Sequence, residues 1–358
     1  VTSILDKLRK SDKIRQAKHD EANEEKSGYL RAGNTGCEIE GGDIVAECPR
    51  LAHLRRLGLR SEEIGEDRIC MFEGGYAHQD LLAEKLREAG VEVFEEGQEG
   101  EITTDWLCGD VHVTGSVDIG LGDGQGNLTH VVDAKAVCSL WTARDILVVE
   151  MPKIKHLAQL GHYMMETEKP GKLAYGSYVD YAVNDWAWKL LPLRGDRHSE
   201  CIEYRDTLDK VAVPEPQVDR VKAAGYRVTK DVYKSGKFKG KTKYEASIHI
   251  PKKILPFRQI YDVRWGESGY LEYSVEGRGE WTQTILTEVG IREFYCRVLD
   301  IEAEGDLGKR PLTLKPEGTP ENYNRCDYCG LKSLCDEHEN NYQKWLDMVK
   351  QLPVNSET

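Results

Sequence analysis

The sequence predicts a mixed α/β fold, a central sheet flanked by helices. Three observations predict it. Between residues 91 and 137 apolar side chains alternate in short runs broken by turn residues. Helical spacing appears on both sides of that stretch, at 73–89 and 152–167. A further strand-like run, 172–182, follows the second helix. Strands interleaved with amphipathic helices, instead of segregated from them, define this class.

Taken in order, residues 1–27 read as a charged helix, and 28–47, with several glycines, as a loop. The run CPRLAHLRRLGL from Cys48 has a basic helical pattern, and EGGYAHQDLLAEKLREA places Leu81, Leu82 and Leu86 on one helical stripe. VEVFEE and EITTDW are expected strands. VHVTGSVDIGL is expected to be one strand, with Val111, Val113, Val117, Ile119 and Leu121 on a single face. GDGQGN is a turn, LTHVVDAKAV the returning strand, and KLAYGSYVDYA a strand after the helix at 152–167. A last helix is expected over 283–303, and 306–320, rich in Gly and Pro, reads as a linker. The expected divisions are an N-terminal region 1–72, a core 73–182, an insertion 183–305 and a cysteine-bearing region 306–358.

With 358 residues and 39% hydrophobic content the chain can bury a sizeable core. It has no run of about 18 or more apolar residues, so no membrane span is expected. The opening VTSILDKLRKSDKIRQAKHD is charged throughout and lacks the apolar core of a secretion signal, which points to a cytoplasmic setting. The net charge of −13 opposes long-range attraction of a polyanion, although a local basic channel is enough for phosphate contacts.

Asp133 and Lys135 are two apart on an expected strand, so they share a face. Asp118 lies near the end of the preceding strand, and a hairpin would bring it beside Asp133. A lone Asp-x-Lys is ordinarily a surface ion pair. Here apolar residues flank it, and a charge on a largely buried strand needs a reason. Paired carboxylates suit Mg²⁺ or Mn²⁺, and a neighbouring lysine can orient water or offset developing negative charge. Gln159 and Tyr163 are four apart on an expected helix and share its face. His156 lies one turn earlier, a second-rank metal candidate.

Ten cysteines in a chain without a secretion signal argue against a disulfide framework. Cys326, Cys329 and Cys335 form C-x2-C-x5-C, which suits a metal centre lacking one ligand. Taken alone, the cluster reads as structural zinc completed by His338. Between Lys222 and Tyr244, eight basic residues face one acid, Asp231, with Tyr226, Tyr233, Phe238 and Tyr244 interleaved. A bare charge run is ordinarily a solvated hairpin. In a chain this acidic, Lys230, Lys234, Lys237, Lys239 and Lys241 become expected contacts for single-stranded DNA. SGKFKGKT nearly matches a phosphate-binding loop, but Ser235 replaces the first glycine and a strand-like run follows, so no ATPase is expected.

These motifs, in this order, resemble the RecB-like branch of the PD-(D/E)XK nucleases, especially its iron–sulfur members among the CRISPR-associated and AddB-type nucleases. The residues that carry the resemblance are Gly74 to His78 (GGYAH), Gly115-Ser-Val-Asp118, Asp133-Ala-Lys135 and Gln159-Leu-Gly-His-Tyr163. The resemblance implies a restriction-endonuclease-like core and a metal-dependent DNA nuclease, an exonuclease on single-stranded or frayed ends. His78, Asp118, Asp133 and the Ala134 carbonyl would hold Mg²⁺ or Mn²⁺, and Lys135 would assist the attacking water. Gln159 and Tyr163 would position the strand, with Tyr163 against the nucleic acid. It further implies that Cys48, in Cys-Pro-Arg, joins Cys326, Cys329 and Cys335 around a [4Fe–4S] cluster that ties the two ends together, with Cys37 a rival for Cys48. Protein partners would come from a recombination complex or a CRISPR-adaptation complex. In that setting the chain would alternatively be an iron–sulfur DNA-binding subunit with little catalysis of its own.

Overall fold

The computed structural model describes residues 29–56, 66–95, 100–184 and 187–304. The expected N-terminal helix, the linker and the cluster Cys326, Cys329 and Cys335, with His338, lie outside these residues.

The described course opens with β1 (Leu30–Arg31), a 3-10 turn (Ala32–Asn34) and a small antiparallel hairpin of β2 (Cys37–Ile39) and β3 (Asp43–Val45). A loop is expected here from the glycines. Two of them, Gly41 and Gly42, take φ of 92° and 80° and make the hairpin turn, so short strands fit around them. Helix α1 (Pro49–Arg56) starts on a proline, whose missing N–H costs nothing at that position. Helix α2 (Glu66–Glu88) begins seven residues before the expected start at 73 and runs through Gly74 and Gly75.

Strands β4 (Val93–Glu95), β5 (Thr103–Cys108), β6 (Val111–Ser116), β7 (Ile119–Gly122) and β8 (Leu128–Ala136) follow. The expected single strand over 111–121 is two strands. Residues Val117 and Asp118 break it, and the Val117 N–H turns to the Ile102 carbonyl. Period-two alternation continues across such a break, because alternation records a buried face and not the strand's partner. Next come α3 (Leu140–Arg144), capped by the Ser139 hydroxyl accepting from the Thr142 N–H at 3.1 Å, and α4 (Ile154–Thr167). The expected strand 172–182 is likewise divided, into β9 (Gly171–Ser177) and β10 (Tyr181–Ala182).

The remainder is β11 (Ile202–Val213), α5 (Val218–Ala223), β12 (Val228–Val232), β13 (Thr242–Ile254), β14 (Phe257–Trp265), β15 (Tyr270–Val275), β16 (Thr282–Thr287) and α6 (Glu288–Glu304). The helix expected from 283 therefore starts five residues later. The run TQTILT is rich in β-branched residues and pairs with β15 instead.

A mixed seven-stranded sheet has the order β16-β15-β14-β9-β8-β7-β4. Its β7–β8 pair is antiparallel. Strands β8 and β9 run parallel: Val131 N–H meets Pro170 O, and six residues on, Val137 N–H meets Gly176 O. A three-stranded sheet has the order β1-β6-β5, and a four-stranded sheet joins β10, β11 and β12 to β13. The chain forms two compact units. Among the described residues one holds those up to 134, 153–173 and 261–304, and the other holds 135–152 and 174–260. The expected insertion 183–305 is thus divided between them.

In the first unit α6 packs on α1 and α4. Phe294, Tyr295 and Val298 of α6 and Leu157, Leu160 and Met164 of α4 are buried. A polar string runs through this core. Thr35 Oγ1 and Tyr295 Oη lie 2.5 Å apart, Tyr295 Oη is 3.3 Å from His162 Nδ1, and His162 Nε2 is 3.2 Å from Thr104 Oγ1. It satisfies groups whose burial would otherwise be costly. The second unit has its own core, built on Trp188, Leu193, Val221, Ile248 and Ile250.

Burial, reinforced by the Arg292 charge, lowers the His162 pKa from its ordinary 6.5 to about 3. The unfolded chain takes up this proton near pH 6.5 and the folded chain does not. The contribution to stability is therefore full above pH 6.5 and is lost as the pH falls toward 3. Between pH 7 and 4, the wild-type urea midpoint should fall more steeply than that of His162→Gln. Parallel pH profiles would show that this imidazole does not set acid sensitivity.

Candidate functional site

Asp118 sits on the bend between β6 and β7. Ile119 pairs with Val132 across the antiparallel ladder, which sets Asp118 opposite Asp133. Asp118 Oδ2 accepts the Ala134 N–H at 2.8 Å, so its carboxylate is tied to the main chain of the facing strand. From α2, Gln79 Nε2 donates to the Asp118 carbonyl at 2.9 Å and fixes the bend. Asp133 is 0% exposed. Lys135, two residues along β8 and half-buried, falls on the same face by strand periodicity.

Helix α4 supplies the next members. Gln159 Nε2 donates to Tyr163 Oη at 3.0 Å. The Tyr163 pKa is pushed well above its ordinary value, first by burial and then by the negative charges of Asp133 and Asp118. The phenol is therefore within electrostatic reach of both carboxylates and stays protonated at any working pH. Its approach depends on Gly115. A Cβ there would lie 2.8 Å from Tyr163 Cε1 and 2.6 Å from the Ala32 Cβ. The Gly-x-x-Asp and Gln-x-x-x-Tyr motifs thus meet physically, through the hydrogen of one glycine.

Tyr163 is 3% exposed, which leaves no ring face open for a base to stack on, and its hydroxyl is held by Gln159.

His78 is buried on α2, beside Gln79. Among the described residues, no three His, Cys, Asp or Glu side chains converge as a metal-binding group. The carboxylate pair still fits a hard divalent cation. Magnesium is commonly held by one or two carboxylates, with waters and substrate phosphate completing its shell. His156 is half-buried in the first turn of α4.

Sequence reasoning missed Glu47. It is 1% exposed, its Oε1 accepts the Cys48 N–H at 3.0 Å, and its Oε2 pairs with Lys155 Nζ at 2.6 Å. Glu47 thus joins the residue at the start of α1 to the first turn of α4, one helical turn before Gln159. The signal for it was an acid inside the apolar run IVAEC, where an unpaired charge would be costly. Gln79, next to the singled-out His78, was missed because hydrogen bonding to a main-chain carbonyl has no sequence signature. Cys48 is a half-buried free thiol. Cys37 is fully buried, donates to the Glu38 carbonyl at 3.3 Å, and has its pKa pushed to about 11 by burial, which makes it a core thiol.

The five lysines expected to contact DNA belong to the second unit. Lys230 lies on β12, and Lys234, Lys237, Lys239 and Lys241 lie in the turn between β12 and β13. All five are exposed. The strand expected after SGKFKGKT is β13.

The geometry defines a mixed α/β protein in which two carboxylates face each other where β7 meets β8, with a lysine two residues further along β8. No family model matches the chain, and no curated protein is a significant match. Among solved structures, the chain is similar to an alkaline exonuclease, LHK-Exo, from Laribacter hongkongensis. The TM-score is 0.29 and the identity 18%, over 43% of this chain and 70% of that one. For the same exonuclease in complex with dAMP the TM-score is 0.28 and the identity 18%, over 44% and 72%.

Gly115→Ala should force Tyr163 and Ala32 apart and lower stability by about 1–3 kcal/mol, the usual cost of overpacking. Chemical denaturation measures it. An unchanged midpoint would mean that Tyr163 does not press on this strand.

Proposed function

We propose that the chain is a divalent-metal-dependent deoxyribonuclease of the PD-(D/E)XK type, acting from single-stranded or frayed DNA ends. One observation carries the reading: the Asp118–Ala134 hydrogen bond holds two carboxylates face to face across β7 and β8, with Lys135 on the same strand face as Asp133. Two facing acids, one fully buried, repel each other and are costly to desolvate. A cation shared between them offsets both costs.

Asp118, Asp133 and the Ala134 carbonyl would hold Mg²⁺ or Mn²⁺. Such an ion polarises a phosphodiester and acidifies bound water. The chain's own residues do the rest. Asp133 is kept rigid by its burial. Asp118 is kept in place by the Ala134 N–H on its carboxylate and by Gln79 on its carbonyl. Lys135 orients the water that attacks phosphorus and offsets the negative charge that builds on the phosphoryl oxygens as the bridging P–O bond breaks. Tyr163, protonated and held by Gln159, lies close enough to feel the charge of both acids.

End-labelled single-stranded DNA and Mg²⁺ provide the test. Asp133→Asn and Lys135→Ala should each lower the cleavage rate by about 100-fold or more, in line with the loss of one preorganised charge-stabilising group. Absence of Mg²⁺-dependent cleavage by the wild-type chain, or full activity of Lys135→Ala, overturns the assignment.

We also propose that Cys48, Cys326, Cys329 and Cys335 hold a [4Fe–4S] cluster of structural purpose. In support, Cys48 immediately precedes α1, α1 packs on α6, and α6 leads along the chain into the segment that carries the other three cysteines. Anaerobically purified protein should be brown and absorb at about 400 nm, and Cys48→Ser should lose the colour. A colourless wild-type protein with stoichiometric zinc would replace the iron–sulfur cluster with a zinc site.

A further inference from the structure

The hairpin between β12 and β13 carries a charge pattern unlike the rest of its sheet. Elsewhere in that sheet, lysines are matched with acids. Lys210 pairs with Glu245 at 3.1 Å, Lys243 with Glu245 at 3.2 Å, and Lys252 with Glu203 at 2.7 Å. Lys253 reaches Asp180 and, at 3.1 Å, Glu203. Among the described residues, Lys230, Lys234, Lys237, Lys239 and Lys241 form no ion pair. Five like charges concentrated at one end of a hairpin repel one another, and the acid of this segment, Asp231, is already paired with Lys243 at 3.8 Å.

The turn is also ordered around an aromatic pair. Tyr233 N–H donates to the Lys241 carbonyl at 3.0 Å, Gly240 N–H to the Tyr233 carbonyl at 2.9 Å, and Lys241 N–H to the Phe238 carbonyl at 2.9 Å. This brings the Tyr233 and Phe238 ring centroids to 5.7 Å. Lys237 Nζ stands 5.0 Å and Lys241 Nζ 5.7 Å from the Phe238 centroid, yet the phenylalanine remains 44% exposed. An exposed phenylalanine at a hairpin tip contributes nothing to a core. Lysines that need an anion, beside a ring that needs a flat apolar partner, describe one ligand chemistry: phosphates spaced along a strand with unpaired bases between them. An acidic peptide would satisfy the lysines and leave Phe238 unused. Duplex DNA would offer phosphates but no free base face.

We propose that this hairpin is a single-strand grip, in which Phe238, backed by Tyr233, stacks on an unpaired base while Lys230, Lys234, Lys237, Lys239 and Lys241 follow the phosphates. The proposal deepens the nuclease reading and rests on it for the choice of DNA as the polynucleotide. The grip binds without a metal ion, since none of its groups belongs to the carboxylate site.

The test is fluorescence anisotropy of the full chain with a labelled oligo-dT, in EDTA so that no cleavage occurs. Phe238→Ala should weaken binding by about tenfold or more, as removal of one base–aromatic stack does. Phe238→Trp should restore it. Removing Lys237 and Lys241 together (Lys237→Ala/Lys241→Ala) should flatten the slope of log affinity against log salt by about 1.4, roughly 0.7 for each single-strand phosphate that is no longer neutralised. Perfect duplex should bind more weakly than oligo-dT. Unchanged affinity of Phe238→Ala, or equal affinity for duplex, overturns the grip. Tighter binding of oligo-U overturns the assignment to DNA. The two readings fail separately. Mg²⁺-dependent cleavage with Phe238-independent binding removes the grip alone. Phe238-dependent binding without any cleavage leaves the grip and removes the nuclease.

Discussion

Two carboxylates facing each other across neighbouring strands are a liability, and the architecture around β7 and β8 contains it. Asp133 is fully buried and Asp118, half-buried, lies opposite, so two like charges are brought together partly out of contact with water. The hydrogen bond from the Ala134 N–H to the Asp118 carboxylate uses the side chain of one acid to tie down the strand that bears the other. Other features of the site take their meaning from it. Gln79 holds the bend that aims Asp118, Gly115 lets Tyr163 approach from behind, and Gln159 fixes the Tyr163 hydroxyl.

Helix α4 carries two tasks on adjacent positions. Tyr163 turns toward the carboxylates, while His162 turns into the core, between Thr104 and Tyr295. Neither residue can titrate near neutrality, because burial favours the uncharged form of each. At the other end of the helix, the Lys155–Glu47 pair holds α4 to the segment that enters α1. The start of α1 and the site helix are thereby joined by an ion pair between a buried Glu47 and a partly exposed Lys155.

The second unit shows why net charge is a poor guide to a binding surface. The chain is acidic overall, yet several of its negative charges lie in local pairs, as Glu203, Asp180 and Glu245 do with their lysines. Paired charges cancel beyond their own separation, and those that remain are screened by salt beyond a Debye length of about 8–10 Å. The tip of the β12–β13 hairpin therefore presents positive potential to anything that comes close, whatever the sum over the chain.

The sequence by itself determined the class of fold, the strand bearing Asp133 and Lys135, the helix bearing Gln159 and Tyr163, and the strand that follows SGKFKGKT. Those are local properties: periodicity, turn residues and helical spacing, all written in neighbouring positions. Only the tertiary structure decided what depends on partners far away in the chain. It divided 111–121 at Asp118, because a strand may change sheets without interrupting its alternation. It made 282–287 a strand, because β15 offered a ladder to a run that could have continued a helix. It buried Tyr163, and it revealed Glu47 and Gln79, whose contacts with Lys155 and with the Asp118 carbonyl no local pattern records. Alternation reveals that a face is buried, but which residue it is buried against is settled by packing.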